Sequence, residues 1–106
     1  MPRQYEVRMS REASRDLESI YNYIEQDSPQ NAADVLEYLL ANIDALEILP
    51  RRHHVYRQPR GSVPAVHAMP VPPFIVYYRV MDADGVVRVL TVRHGARRQP
   101  RSFPKG

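Results

Sequence analysis

The sequence predicts an α+β domain in which a helical hairpin packs on one face of a small antiparallel sheet, in the order β-α-α-β-β-β. Three observations carry this expectation. Two consecutive stretches have apolar residues at helical spacing, and only Asp27-Ser28-Pro29 separates them. Later stretches are dense in Val, Ile and Tyr and are punctuated by prolines and by Asp82-Ala83-Asp84-Gly85. A chain of 106 residues with 43% hydrophobic content also suffices for a single core.

Residues 4–9 alternate polar and apolar, which places Tyr5, Val7 and Met9 on one face of a short strand. Ser10 then reads as a helix N-cap, because its hydroxyl can accept from the free amides of the first turn. Ala13, Leu17, Ile20, Tyr21 and Ile24 recur at helical spacing under an acidic outer face. Pro29 disfavours helix at Ser28 and fits the first position of a second helix, where its missing N–H does no harm. That helix is expected to run to about Leu49, with Ala32, Val35, Leu36, Leu39, Leu40, Ile43 and Leu46 on one side and Pro50 as its stop. So short a break makes the pair an antiparallel hairpin, and its wide apolar stripe needs a sheet to cover it.

Residues 51–62 switch to a basic, irregular segment that reads as a loop entering the sheet. Residues 63–69 supply a strand, which Pro64 restricts to an edge or a start. Residues 74–80 and 86–93 pair as antiparallel strands around the Asp82–Gly85 turn. Tyr77 and Tyr78 point to opposite faces, one into the core and the other towards the open side of the sheet. The domain is assigned to residues 1–97, and residues 98–106 read as a basic tail with little structure of its own.

Charge is divided along the chain. Residues 1–50 hold four arginines against ten carboxylates, whereas residues 51–106 hold ten arginines and Lys105 against only Asp82 and Asp84. The net charge of +3 therefore conceals a basic half, suited to nucleic acid or an acidic protein segment. Arg offers a planar fork to phosphate or carboxylate that Lys lacks. Codon bias explains the Arg-to-Lys ratio equally well, but not the segregation by position.

Several classes are excluded. The absence of cysteine removes disulfides, thiolate zinc sites and cysteine nucleophiles. With four glycines there is no G-x-G-x-x-G or Walker loop, so nucleotide-dependent catalysis is not expected. No run approaches the ~18 apolar residues of a membrane span, and a soluble cytoplasmic protein is the expectation. Neither cofactor nor metal is called for: His53 and His54 adjoin Arg51, Arg52 and Tyr56 without a third ligand at suitable spacing. That cluster reads as a solvated basic loop, and His67 as structural. Asp16, Glu18, Glu25 and Glu37 fall on polar helix faces and read as solvated.

The most informative run is residues 86–97, an apolar strand that delivers His94, Gly95 and Arg97 at its exit. The His94 imidazole suits acid or base work near neutral pH, or else it shapes the turn at Gly95 through a backbone hydrogen bond. Arg97 can hold a phosphate or carboxylate, or pair with an acid on the hairpin.

Taken in order, Tyr5-Glu6-Val7, Ser10-x-x-Ala13, Asp16-Leu17-x-x-Ile20-x-x-Tyr23-Ile24, Ile43-x-x-Leu46-x-x-x-Pro50, Tyr77-Tyr78-Arg79-Val80 and Val89-Leu90-x-Val92-x-His94-Gly95-x-Arg97 resemble the RelE/ParE superfamily of toxins from bacterial type II toxin–antitoxin systems. The resemblance spans most of the chain and leans to ParE-like members, on the long hairpin and the His-Gly-x-Arg ending. It implies a toxin that inhibits DNA gyrase by binding, arresting growth and serving plasmid stabilisation. Arg93, His94, Arg97, Arg98 and Arg101, with Arg51, Arg52 and Arg57 of the loop, would contact the target or nucleic acid. The alternative it implies is a RelE-like, ribosome-dependent mRNA endonuclease, with His94 and Arg97 catalytic and Arg79 and Arg88 holding the phosphate. Both imply a cognate antitoxin, encoded alongside, whose acidic and apolar C-terminal segment wraps the toxin in a hetero-oligomer, away from any membrane. A nucleic-acid-binding module or an inactive toxin is the third reading.

Overall fold

A computed structural model describes residues 2–103. Its elements are β1 (Glu6–Met9), α1 (Arg11–Glu25), α2 (Pro29–Asp44), two short 3-10 turns (Ala45–Glu47 and Pro50–Arg52), β2 (Val55–Arg57), β3 (Val66–Val71), β4 (Phe74–Met81) and β5 (Val86–His94). The five strands form one sheet in the order β1-β5-β4-β3-β2. It is mixed: β1 lies parallel to β5, and the other neighbours are antiparallel. The β-α-α-β-β-β order holds, with the three-residue β2 as an added edge strand.

Local signals place the hairpin as expected. The Ser10 hydroxyl accepts from the Ala13 amide at 3.0 Å, and the Ser28 hydroxyl accepts from Asn31 at 3.2 Å with Pro29 opening α2. The hairpin lays Ala13, Leu17, Leu39, Ile43 and Leu46 on Val76, Tyr78, Val80, Val87, Val89 and Val92. Leu39, Ile43 and Leu46 are at most 1% exposed, and each stabilises the fold by roughly 1.5–3 kcal/mol. Leu40, expected in this core, stays exposed. The regular helix ends at Asp44, five residues short of the expectation, because Ala45–Glu47 tightens into a 3-10 turn and Leu49 adopts a left-handed φ of 49°.

β1 is only four residues long and pairs Val86 to Val89 alone, so the second half of β5 lacks a strand on that edge. The start of α1 substitutes for one. The Ser10 hydroxyl donates to the Leu90 carbonyl at 2.8 Å, and Asp16 accepts from the Val92 amide at 2.9 Å and the Thr91 hydroxyl at 2.5 Å. Asp16 is thus a half-buried latch between α1 and β5, not the solvated helix residue the polar face predicts. Leu90 is an extra residue between the Tyr78–Val89 and Tyr77–Thr91 pairs. This bulge slips the alternation, so Val87, Val89 and Val92 all reach the hairpin side.

The far face of the sheet is partly covered as well. Tyr77 and Tyr78 do point to opposite faces, yet both are buried, Tyr78 under the hairpin and Tyr77 in a second cluster with Val66, Ala68 and Leu90. Residues 99–103 return over that cluster where a loose tail was expected. Gln99 accepts from the Tyr77 hydroxyl, the Pro100 carbonyl accepts from Tyr56, and the Phe103 ring packs on Tyr56 and Tyr77. Lys105 and the end of the expected tail lie outside the described residues. Residues 51–62 are likewise more ordered than a loop. They carry β2, so β3 is paired on both sides near Val66 and His67, and Pro64 sits before β3 and not within an edge strand.

Candidate functional site

The division of charge along the sequence becomes a division between elements. Most acidic residues fall on α1 and α2, and the arginines of the second half fall on the strands and loops. On β1, β5 and β4 the register sets Arg8 beside Arg88 and Arg88 beside Arg79. Side chains paired in this way share a face, and like charges directly opposite repel. Glu6 neutralises the Arg8 end, with bonds of 3.0 and 3.1 Å. Arg88 keeps a buried Nε without a hydrogen-bond partner among the described residues. Arg79 is 5% exposed, and its Nε donates to the Pro64 carbonyl at 3.3 Å. Burial lowers its pKa from the usual value.

His94 and Arg97 stand elsewhere. His94 pairs with Phe74 on the hairpin side of the sheet, and its ring meets Phe74 edge-on at 5.6 Å between centroids. Its Nδ1 accepts from the Ala96 amide at 3.1 Å, which fixes the tautomer with the outward proton on Nε2. The sequence allowed a bond to a backbone carbonyl here; the imidazole accepts from a backbone amide instead. The turn is close-packed: the Gly95 amide donates to the Pro73 carbonyl at 2.7 Å, and a Cβ at Gly95 would lie 3.2 Å from that oxygen. The Gln99 side-chain amide donates to the Arg97 carbonyl at 2.6 Å and reaches the His94 carbonyl at 3.2 Å. The side chains of Arg97 and Arg98 are exposed and form no hydrogen bond or ion pair among the described residues. His94 lies six residues along β5 from Arg88, about 20 Å at strand rise, and on the opposite face. The fold therefore groups Arg93, His94, Arg97 and Arg98 at one end and Arg79 with Arg88 at the other.

The remaining sequence candidates divide between structural bonds and open positions. Arg51 grips Asp82 through both nitrogens at 2.6 and 3.1 Å, and Tyr5 also donates to Asp82 at 2.7 Å. The Arg51 bond holds the Asp82 carboxyl below its usual pKa and raises that of Arg51. Arg52 donates to the carbonyls of Ile48, Leu49 and Ala45, where the helical segment ends. Arg93 donates to the Thr91 hydroxyl at 3.1 Å, so the Asp16 latch also orients this arginine. His53 is half-buried against the Tyr78 ring, and burial lowers its pKa with Arg52 adding to the effect. His67 stacks on Tyr78, with ring centroids 5.3 Å apart. Among the described residues no group of three or more His, Asp or Glu is placed to hold a metal ion, and no helix is long and apolar enough to cross a membrane.

Sequence reasoning missed a cleft of about 470 Å³ between residues 57–64 and the returning C-terminal segment. Arg57, Arg60, Arg79 and Arg101 line it together with Val66 and Phe103, and no Asp or Glu does. Arg57 donates to the Arg101 carbonyl at 2.6 Å and lies over the Tyr56 ring. Arg60 and Val63 bond reciprocally across a tight turn in which Gly61 takes a φ of 57°. Arg57, Arg79 and Arg101 are candidates in the sequence, but as parts of other groupings; Arg60 is not, and nothing in the sequence joins the four in one cleft. What brings Arg101 to it is a contact between β2 and residues some 44 positions later.

A second concavity lies on the hairpin, where Tyr21, Ala33, Leu36, Leu40 and Ala41 form an apolar floor rimmed by Glu37 and Asp44. Of the other large hydrophobic residues, Leu49 is 62% exposed and Tyr23 72% exposed.

Comparison with known proteins follows this architecture. The family model of the ParE toxin of the type II toxin–antitoxin system parDE matches residues 7–99. Toxin RelE2 of Caulobacter vibrioides is 33% identical over 85 residues, 80% of this chain and 89% of that protein. Among solved structures, the chromosomal ParDE system from P. aeruginosa aligns with a TM-score of 0.68 at 18% identity, over 87% of this chain and 97% of that one. The archaeal RelE–RelB complex from Pyrococcus horikoshii OT3 aligns with a TM-score of 0.64 at 17% identity, over 90% and 99%. Proteins named for ParE and for RelE thus share this fold almost equally, and the fold does not separate them.

Proposed function

Because the chain belongs to the ParE toxin family of type II toxin–antitoxin systems, we propose that it acts in the cytoplasm as a ParE-like toxin, inhibiting DNA gyrase by binding and neutralised by a cognate antitoxin. The observation that carries this reading is the separation of His94 from Arg79 and Arg88. Acid–base cleavage at a phosphate needs the proton-transfer group and the charge-stabilising cations within hydrogen-bond reach of one reacting centre. Opposite faces and about 20 Å of strand do not provide that. The His94–Arg98 turn instead presents two guanidiniums unengaged among the described residues, on a backbone fixed by Gly95, His94 and Gln99. That is how a binding epitope is preorganised.

The antitoxin follows from the exposed apolar surface. A segment laid over the hairpin would bury Leu40 and the floor between α1 and α2. Beyond the hairpin, whose rim at Glu37 and Asp44 is itself acidic, its acidic residues would reach the arginine-bearing strands and loops. The solved relatives named for toxin–antitoxin systems support a partner of this kind.

The reading is tested by inducing the chain in bacteria and pulse-labelling DNA and protein synthesis, with His94→Ala and Arg97→Ala in parallel. Early loss of DNA synthesis, reduced by Arg97→Ala, is the expected result. Early loss of protein synthesis, abolished by His94→Ala, makes the chain a ribonuclease and overturns the proposal.

A further inference from the structure

We infer that the arginine-lined cleft between residues 57–64 and the C-terminal segment is a nucleotide site, with the phosphate held by Arg57, Arg60 and Arg101 and the base against Phe103. The site lies on the face away from the hairpin, and the inference goes beyond gyrase inhibition.

Volume and chemistry both point to a nucleotide. The cleft, at about 470 Å³, falls within the range of roughly 300–1,000 Å³ typical of small-ligand sites. Three exposed arginines, Arg57, Arg60 and Arg101, line it beside the buried Arg79, with no Asp or Glu among the described lining residues, and the ion pairs formed between described residues lie at Asp82 and Glu6. One carboxylate would leave most of this charge unmatched. A phosphomonoester carries nearly two negative charges and three acceptor oxygens, which suits several guanidinium forks at once. No glycine loop is required, because side chains and not backbone amides do the holding.

The rest of the wall is apolar and ring-bearing. Phe103 is half-buried, backed by Tyr56 and Tyr77 at 5.9 and 5.4 Å between centroids, so its position is fixed before any ligand arrives. Val63, Pro64 and Val66 continue the apolar surface. A flat, weakly polar base fits such a wall, whereas an extended acidic peptide does not use it. The cations are also preset: Gly61 holds the turn that carries Arg60, and the Arg57 bond to the Arg101 carbonyl ties the two walls together.

The test is an amide-resolved NMR titration of the full chain with 5′-AMP, adenosine, inorganic phosphate and a glutamate-rich peptide, in about 0.15 M salt to screen diffuse attraction. Saturable shifts are expected with AMP at residues 57–64, Arg79 and residues 101–103, with adenosine and phosphate each at least about tenfold weaker. Arg60→Gln with Arg101→Gln, both exposed positions, should weaken AMP at least about tenfold while the spectrum stays folded. Arg11→Gln with Arg15→Gln removes the same charge from α1 and should leave AMP binding unchanged. The inference is overturned if AMP gives no saturable shift, if phosphate or the peptide binds as tightly as AMP, or if the α1 pair weakens AMP as much as the cleft pair.

Discussion

Replacing Asp16 by alanine tests how α1 is fastened to the sheet. The carboxylate accepts from the Val92 amide and the Thr91 hydroxyl on an edge of β5 that β1 is too short to cover. Thr91 is fully buried, so water does not replace the lost partner there. Hydrogen bonds to a charged group are worth about 1.5–3 kcal/mol each. Allowing for the half-exposed setting, Asp16→Ala should destabilise by about 2–4 kcal/mol. For a domain of this size, at 4–8 °C per kcal/mol, that is a fall in Tm on the order of 15 °C. Asp16→Asn keeps one acceptor and should lose about 1 kcal/mol. Urea unfolding of Asp16→Ala, Thr91→Val and the double variant gives the coupling directly, expected at about 1–2 kcal/mol. A loss below about 0.5 kcal/mol for Asp16→Ala, the value for an ordinary surface residue, would refute the latch.

Three further outcomes follow from the same geometry. Gly95→Ala drives a Cβ to 3.2 Å from the Pro73 carbonyl and should cost about 1 kcal/mol, but weaken target binding by more than that loss explains, as a binding titration beside thermal melting will show. Burial pushes the phenols of Tyr77 and Tyr78 up to about 12 from 10.0. Raised acids of this kind keep their protons in the folded state while the unfolded chain loses them, so their contribution is intact below pH 10 and is lost as pH rises towards 12, which tyrosinate absorbance and alkaline unfolding should both register. Asp82 runs the other way: its lowered pKa makes its contribution present above 3.8 and lost as pH falls further. Being half-exposed, it should contribute less than about 1 kcal/mol, so an acid titration of Asp82→Asn should differ from the parent only at low pH and only slightly.

The elements written by local chemistry were legible in the sequence: the Ser10 and Ser28 caps, Pro29 at the start of α2, and the β4–β5 turn closed by a left-handed Gly85. Period-based reading failed where a long-range contact decides. Asp16 falls on a polar helical face, and only the shortness of β1 gives it a partner 75 residues away. The bulge at Leu90 is invisible because both flanking stretches alternate correctly by themselves. β2 is three residues long, too short for any alternation to register. The returning segment 99–103 holds by Pro100, Phe103 and Gln99, and proline with basic neighbours reads as a tail until the ring cluster it covers is known. At the candidate site, His94 and Arg97 were correctly placed at the exit of β5. The separation of His94 from Arg79 and Arg88 depends on strand length and face, which the sequence alone did not order.

Gyrase inhibition is tested most directly with purified components. The chain, freed from its antitoxin, is added to gyrase, ATP and relaxed plasmid DNA, and in parallel to ribosomes programmed with mRNA. Loss of supercoiling, relieved by Arg97→Ala with Arg98→Ala, beside intact mRNA is the predicted result. Undisturbed supercoiling together with cleaved mRNA would contradict it.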